Sequence, residues 1–169
     1  MRNWDAYTIT HEPISSLQLM ERAATACSTW LMNKGFTLSP LAIFCGRGNN
    51  GGDGLAIARQ LSMSAPHIDV YIPDAGHPGS QDFQENLAAL RQFPLVKIHE
   101  ISDKESFPEL SKETVIIDAL WGTGINRPLD GLNAELVQHL NQYHQPVISI
   151  DLPSGMPADI SSAGYDIIK

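Results

Sequence analysis

Residues 46–61 read GRGNNGGDGLAIARQL, and the short apolar run Leu41 to Cys45 stands immediately before them. An apolar run bounded by Pro40 and Gly46 suits a strand buried on both faces, and LAIARQL continues in a helical pattern. A glycine-rich turn between a buried strand and a helix is the signature of a parallel α/β sheet that binds a ligand at its strand tips. Glycines alone would suit a phosphate. Asp53 does not, because a carboxylate beside a bound phosphate is repelled by about 1 kcal/mol or more even at a partly solvated site.

The pattern repeats outward from this stretch. Strands are expected at His67 to Ile72, Val96 to Ile101, Thr114 to Leu120 and Pro146 to Asp151, with helices near residues 80–93 and 133–143. Upstream, Ser15 and Gln18 form a capping box, Ile14 and Leu19 a possible staple, and Gly35 a helix stop. Leu17, Met20, Ala24, Cys27 and Leu31 recur there at helical spacing. Between Ile101 and Thr114 the chain is short and holds Pro108, which leaves room for a turn of helix only. Strands alternating with helices pair in parallel through right-handed crossovers. The fold class expected is therefore α/β, a Rossmann-like three-layer α/β/α sandwich with strand order 3-2-1-4-5.

At 169 residues the chain is the size of one domain. Hydrophobic residues make up 43% and charged residues 18%, a globular composition. Its 11 Lys and Arg face 19 Asp and Glu, a net charge of −8 with no basic stripe, which argues against nucleic acid and against anionic membranes. No run approaches the about 20 apolar residues of a membrane span. Cys27 and Cys45 have no C-x-x-C spacing, so reduced core thiols in a cytoplasmic protein are expected. The six histidines, His139 and His144 on one expected helix among them, lack metal-ligand spacing.

Three polar loops fall at the carboxyl ends of strands 1, 4 and 5, and strands 1 and 4 meet at the topological switch point. The first matches G-x-G-x-x-G, with Asp74 further on near the end of strand 2. That signal also fits a dehydrogenase or a plain tight turn. The second, Asp118-Ala119-Leu120-Trp121-Gly122-Thr123-Gly124, sets an acid in an apolar strand end, which could instead cap the next turn. Its Gly-Thr-Gly offers amides and a hydroxyl to a phosphate, Arg127 adds charge, and Trp121 is either a stacking wall or core. The third, Asp151-Leu152-Pro153-Ser154-Gly155, has no nucleophile elbow, so Ser154 is better read as a neutral oxygen ligand. Asn50, Asp118 and Ser154 together would offer an amide oxygen, a carboxylate and a hydroxyl, a set suited to a monovalent cation.

GRGNNGGDGLAIARQL, VIIDALWGTGINRPLDG and VISIDLPSGMPAD resemble, in order and spacing, the signature loops of the NAD(P)H-hydrate epimerase domain, and LMERAA resembles that family's first helix. The match runs from Ile14 to Asp159. The resemblance implies interconversion of the R and S forms of hydrated NADH and NADPH (NADHX and NADPHX), which carry a hydroxyl at C6 of the nicotinamide ring, and a bound K⁺. It implies that Asn49, Asn50, Gly51, Gly52 and Asp53 contact substrate. Gly122, Thr123, Gly124, Ile125, Asn126, Arg127, Pro128 and Asp151 would line it as well, and Asn50, Asp118 and Ser154 would hold K⁺. Where many members carry a lysine after strand 2, this chain has Tyr71-Ile72-Pro73-Asp74. Asp151 is the expected proton-transferring acid, with Asp53 second.

The expectation for the whole chain is one epimerase domain over 1–169, shortened at its C-terminal end, with no dehydratase domain although a longer product could carry one. A homodimer is expected through the first helix, whose Leu17, Leu19, Met20, Trp30, Leu31 and Met32 exceed what one face can bury. The alternatives are a non-catalytic nucleotide-binding module and, more remotely, a dehydrogenase.

Overall fold

Ser15 closes a capping box at the first helix: its Oγ accepts the Gln18 amide at 3.2 Å and Gln18 Oε1 accepts the Ser15 amide at 2.8 Å. The helix, α1, spans Ser16–Asn33. It stops where Gly35 takes φ 77, a left-handed conformation that costs other residues more. These features belong to a computed structural model that describes residues 7–8, 10–73, 76–125, 127–158 and 164–169.

From there the chain alternates through β1 (Leu41–Cys45), α2 (Asn49–Leu61), β2 (Ile68–Pro73), α3 (Gln81–Leu90), β3 (Val96–Ile101), β4 (Val115–Ala119), α4 (Gly131–Leu140) and β5 (Val147–Ser149). All strand pairs are parallel and the order is β3-β2-β1-β4-β5, the doubly wound arrangement expected from the alternation. Between β3 and β4 there is only the 3-10 turn Lys104–Ser106, capped by Asp103, whose carboxylate accepts the Ser106 amide at 2.9 Å.

The two-residue strand period divides the core. Leu41, Ile43, Val70, Ile72 and Ile117 meet α1, α2 and α3 through Leu31, Leu55, Leu61, Phe83 and Leu90. Ala42, Phe44, Tyr71 and Ile116 meet α4 through Leu136, Val137 and Leu140. Strands β1 and β4 are buried at all five positions, which is why they read as unbroken apolar runs.

Boundaries move by a few residues. Strand β5 pairs only over Val147–Ser149, so Asp151 stands two residues past its end. Pro73 closes β2 at a level where pairing with β1 has already ended and only Ile101 of β3 lies opposite. Helix α4 ends at Leu140, leaving His144 off the helix that was expected to hold it together with His139. Asn49 to Asp53 belong to the first turns of α2 and not to a loop. Asp74, Asn126 and Asp159 lie outside the described residues.

Candidate functional site

The glycines of the first motif are filled by the protein itself. A Cβ on Gly46 would lie 1.8 Å from the Leu120 carbonyl oxygen, and one on Gly51 would lie 1.5 Å from the Gly46 carbonyl oxygen. Gly54 similarly faces the Ala119 Cβ at 2.6 Å and Cys45 Sγ at 2.8 Å. Together they let the first turns of α2 press into the notch between the tips of β1 and β4, where the Gly46 amide also donates to the Ala119 carbonyl at 3.0 Å. Gly48 alone among the five has open space beside it. Arg47 points elsewhere: Nε donates to the Pro73 carbonyl at 3.1 Å, the guanidinium pairs with Glu100, and it lies over the Phe83 ring.

Above the strand tips is a cavity of about 920 Å³. Gly48, Asn49, Asn50 and Asp53 form the wall from α2, and Ser16, Ala23, Ala24 and Cys27 form the wall from α1. Leu120 to Ile125 and Ile150 with Asp151 complete it from the loops after β4 and β5. The structure thus brings together Asn49, Asn50, Asp53, Gly122, Thr123, Gly124, Ile125 and Asp151. Gly51 and Gly52 are buried outside the wall, and Arg127 and Pro128 are exposed beyond it. Among the described residues the wall carries two carboxylates and no Lys, Arg or His.

Asp151 is held by one hydrogen bond, the Thr123 amide donating to Oδ2 at 2.8 Å, and Oδ1 accepts none from a described residue. Gly122 makes this possible, since a Cβ there would come within 2.3 Å of Oδ2. Asp118 is wholly buried behind the wall. Its Oδ1 accepts from the Ser154 hydroxyl and the Leu120 amide, and its Oδ2 from the Ser154 amide at 2.8 Å and Ser149 Oγ at 2.9 Å. Burial pushes its carboxyl above the usual range, and these four donors offset part of that rise. Ser154 Oγ also accepts the Trp121 amide at 2.9 Å, so one carboxylate and one hydroxyl lock the β4 and β5 loops together.

Ser149 was not among the residues expected at the site. Its signal was a hydroxyl between two isoleucines in a strand, and the register sets it directly opposite Asp118. Cys27, expected as a core thiol, packs partly buried against the core and also lines the cavity. Its thiol is raised first by burial and then by the charge of Asp53. Cys45, at the end of β1, is raised by the same two causes, and both cysteines are free. Three of the histidines serve the framework: His67 and His99 both contact Asp69 at 2.7 Å, and His139 bonds the Pro108 carbonyl.

Of the three residues expected to hold a cation, Asp118 and Ser154 bond one another and Asn50 lines the cavity wall. Asn50 Oδ1 and Nδ2 are both shut off from solvent with no hydrogen-bond partner among the described residues, each a deficit of about 1–3 kcal/mol. Asp118 is a buried carboxylate without an ion pair among the described residues. Among those residues no group of three or more His, Cys, Asp and Glu gathers as a transition-metal site would require, and no helix is long and apolar enough to cross a membrane.

The family model described as YjeF-related protein N-terminus matches residues 16–168. The chain is 34% identical over 158 residues to a Weissella koreensis protein named NAD(P)H-hydrate epimerase, covering 94% of this chain and 69% of that one. It is 37% identical over 162 residues to a Limosilactobacillus reuteri protein of the same name, with 94% and 73% covered. A solved structure, the crystal structure of yeast ynu0, superposes with a TM-score of 0.79 at 23% identity over 95% of this chain and 72% of that one, a likeness of fold.

Proposed function

The chain belongs to the NAD(P)H-hydrate epimerase family, and from that premise we propose that its cavity interconverts the R and S configurations at C6 of the hydrated nicotinamide ring in NADHX and NADPHX. The observation that supports this site is Asp151, fixed through Oδ2 while Oδ1 accepts from no described residue, in a wall that also carries Asp53. Inversion at a carbon bonded to both nitrogen and hydroxyl proceeds by opening the ring or by losing hydroxide, and either route moves a proton on and off oxygen. A positioned carboxyl does this work. Asp151 takes that role, with Asp53 as the second acid.

Substrate contacts are assigned to the residues on the wall: Asn49, Asn50 and Asp53, Gly122 to Ile125, and Asp151. Asn50, Asp118 and Ser154 would hold K⁺, which supplies positive charge beside the buried carboxylate and keeps the three strand-end segments in register. The unpartnered Asn50 oxygen supports this assignment. A homodimer through α1 is supported by Trp30 at 46% and Met32 at 42% exposure, two large apolar side chains left at the surface of a helix whose Met20, Ala24 and Leu31 are buried inward. Two unpaired thiols suit the reducing cytoplasm. The relatives carry the name of an isomerase, which disfavours both the dehydrogenase and the non-catalytic reading.

The test starts from one purified hydrate isomer. Chromatographic separation of R from S after mixing with protein should show the other isomer growing in faster than it does in buffer, with no change in the redox state of the cofactor. A rate equal to the buffer rate overturns the proposal.

A further inference from the structure

Ser154 sends its polar groups to three different parts of the chain. Its amide and hydroxyl donate to Asp118, its Oγ accepts the Trp121 amide at 2.9 Å, and its carbonyl accepts the Ile168 amide at 3.0 Å. The loop that carries Asp151 is therefore tied both to β4 and to the segment around Ile168. That second tie is close: Gly155 has φ 92, and a Cβ on it would lie 1.8 Å from the Asp166 carbonyl oxygen. Ile168 itself is 5% exposed, in the core cluster of Leu136 and Leu140 from α4. Asn141, whose own amide closes α4 on the Val137 carbonyl at 3.0 Å, takes the two backbone groups that flank Ile168. Nδ2 donates to the Ile167 carbonyl at 2.7 Å, and Oδ1 accepts the Lys169 amide at 2.9 Å. A residue of a parallel strand bridges its neighbour in this same pattern, donating to the carbonyl before the opposed residue and accepting from the amide after it. One side-chain amide thus stands in for a strand partner. The other tie from α4, Gln138 Nε2 donating to Asp166 Oδ1 at 3.1 Å, joins exposed side chains only.

We propose that Asn141 is a positioning residue of the proposed site: by bracketing Ile168 it fixes the segment that holds the Ser154 carbonyl, and through Ser154 the loop that presents Asp151. Asn141 itself lies outside the cavity wall. Without the bracket the Ile168 amide leaves Ser154, and Asp151, three residues upstream, loses the fixed place that proton transfer needs. The walls from α1 and α2 are untouched, so substrate still binds. A group needed only in the transition state lowers kcat without raising KM, and that is the expected signature. The inference rests on the proposed epimerase reading for the reaction that is timed, but the coupling from Asn141 to Ser154 is read without substrate.

Amide hydrogen exchange followed by NMR, with isomer interconversion timed on the same samples, tests the bracket. In the parent protein the Ile168 and Ser154 amides should exchange at least about 100-fold more slowly than in an unstructured chain. An Ile168 amide exchanging at the free-chain rate overturns the proposal without any variant having to fold. In Asn141→Leu, which keeps the volume and removes both bonds, the two amides should exchange at least about tenfold faster while those of β1 and β2 keep their rates. In the same variant kcat should fall about tenfold, with KM within about twofold of the parent. Gln138→Leu, which loosens only the side-chain tie, should leave exchange and kcat within about twofold of the parent. An unmoved Ser154 amide, an unchanged kcat, an equal acceleration throughout the sheet, or a Gln138→Leu variant as slow as Asn141→Leu each overturns the proposal. A parent protein that does not interconvert the isomers removes the epimerase reading, and the exchange pattern alone then upholds or overturns the bracket.

Discussion

A methyl group at position 122 would reach within 2.3 Å of Asp151 Oδ2, the end of a movable side chain, while one at position 51 would reach within 1.5 Å of the Gly46 carbonyl oxygen, which is backbone. The two substitutions should therefore separate function from stability. Gly122→Ala displaces the carboxylate from the Thr123 amide, and kcat/KM for isomer interconversion should fall about 10- to 100-fold with a small change in Tm. Gly51→Ala forces α2 away from the strand tips and should cost about 3 kcal/mol or more in urea unfolding. The sequence showed five glycines but not what they face, since that depends on strands brought together from 74 residues apart. A reading in which they make room for a nucleotide suits only Gly48. Tyr71 gives a pH test at the same scale. Stacked between Phe44 and His99, its phenol is pushed up to about 12, first by burial and then by Asp69 and Tyr143. The native state holds this proton more tightly than the unfolded chain, whose tyrosine titrates near about 10. Its contribution is complete below about pH 10 and is lost as pH rises toward about 12. Tyr71→Phe should flatten the alkaline fall in the urea midpoint across that window, and an unchanged slope would contradict the assignment.

At the scale of elements, α1 caps the fold and also forms one wall of the site. Its cap was legible in Ser15 and Gln18, and its inward face in Met20, Ala24 and Leu31, because capping and helical periodicity are local. Its contribution of Ser16 and Cys27 to the cavity was not legible, because it depends on the way α1 lies against α2, where Met20 meets Gly52 and Glu21 pairs with Arg59. The start of α2 was obscured for a related reason. Asn-Asn-Gly-Gly favours turns in isolation, and only the close packing that needs those glycines makes the segment helical. The outward face of α1 yields the assembly prediction. Trp30→Lys combined with Met32→Glu should shift light-scattering mass from dimer to monomer over a concentration series. A parent protein that stays monomeric at high concentration would retire the dimer.

For the whole molecule, the sheet order and the convergence of three strand ends were legible from the alternation of apolar runs with helices. The carboxylate latch beneath them was legible in part. Asp118 and Ser154 stood out as polar residues at apolar strand ends, but Ser149 did not, because its partner is set by the β4–β5 register. This latch predicts the response to ions. K⁺ should raise Tm in proportion to the logarithm of its concentration above its dissociation constant, Na⁺ should do so less, and Asp118→Ala should abolish the difference. Equal melting in both salts would remove the ion from the account. The central claim, that one carboxyl at the tips of β4 and β5 moves the proton during inversion, is tested most directly by comparing the parent protein with Asp151→Asn on a single purified hydrate isomer, with ligand affinity measured alongside. The account predicts that the parent brings either isomer to the same final mixture, while the variant binds the hydrate and equilibrates it at least about 100-fold more slowly. A variant that equilibrates the isomers at the parent rate would contradict it.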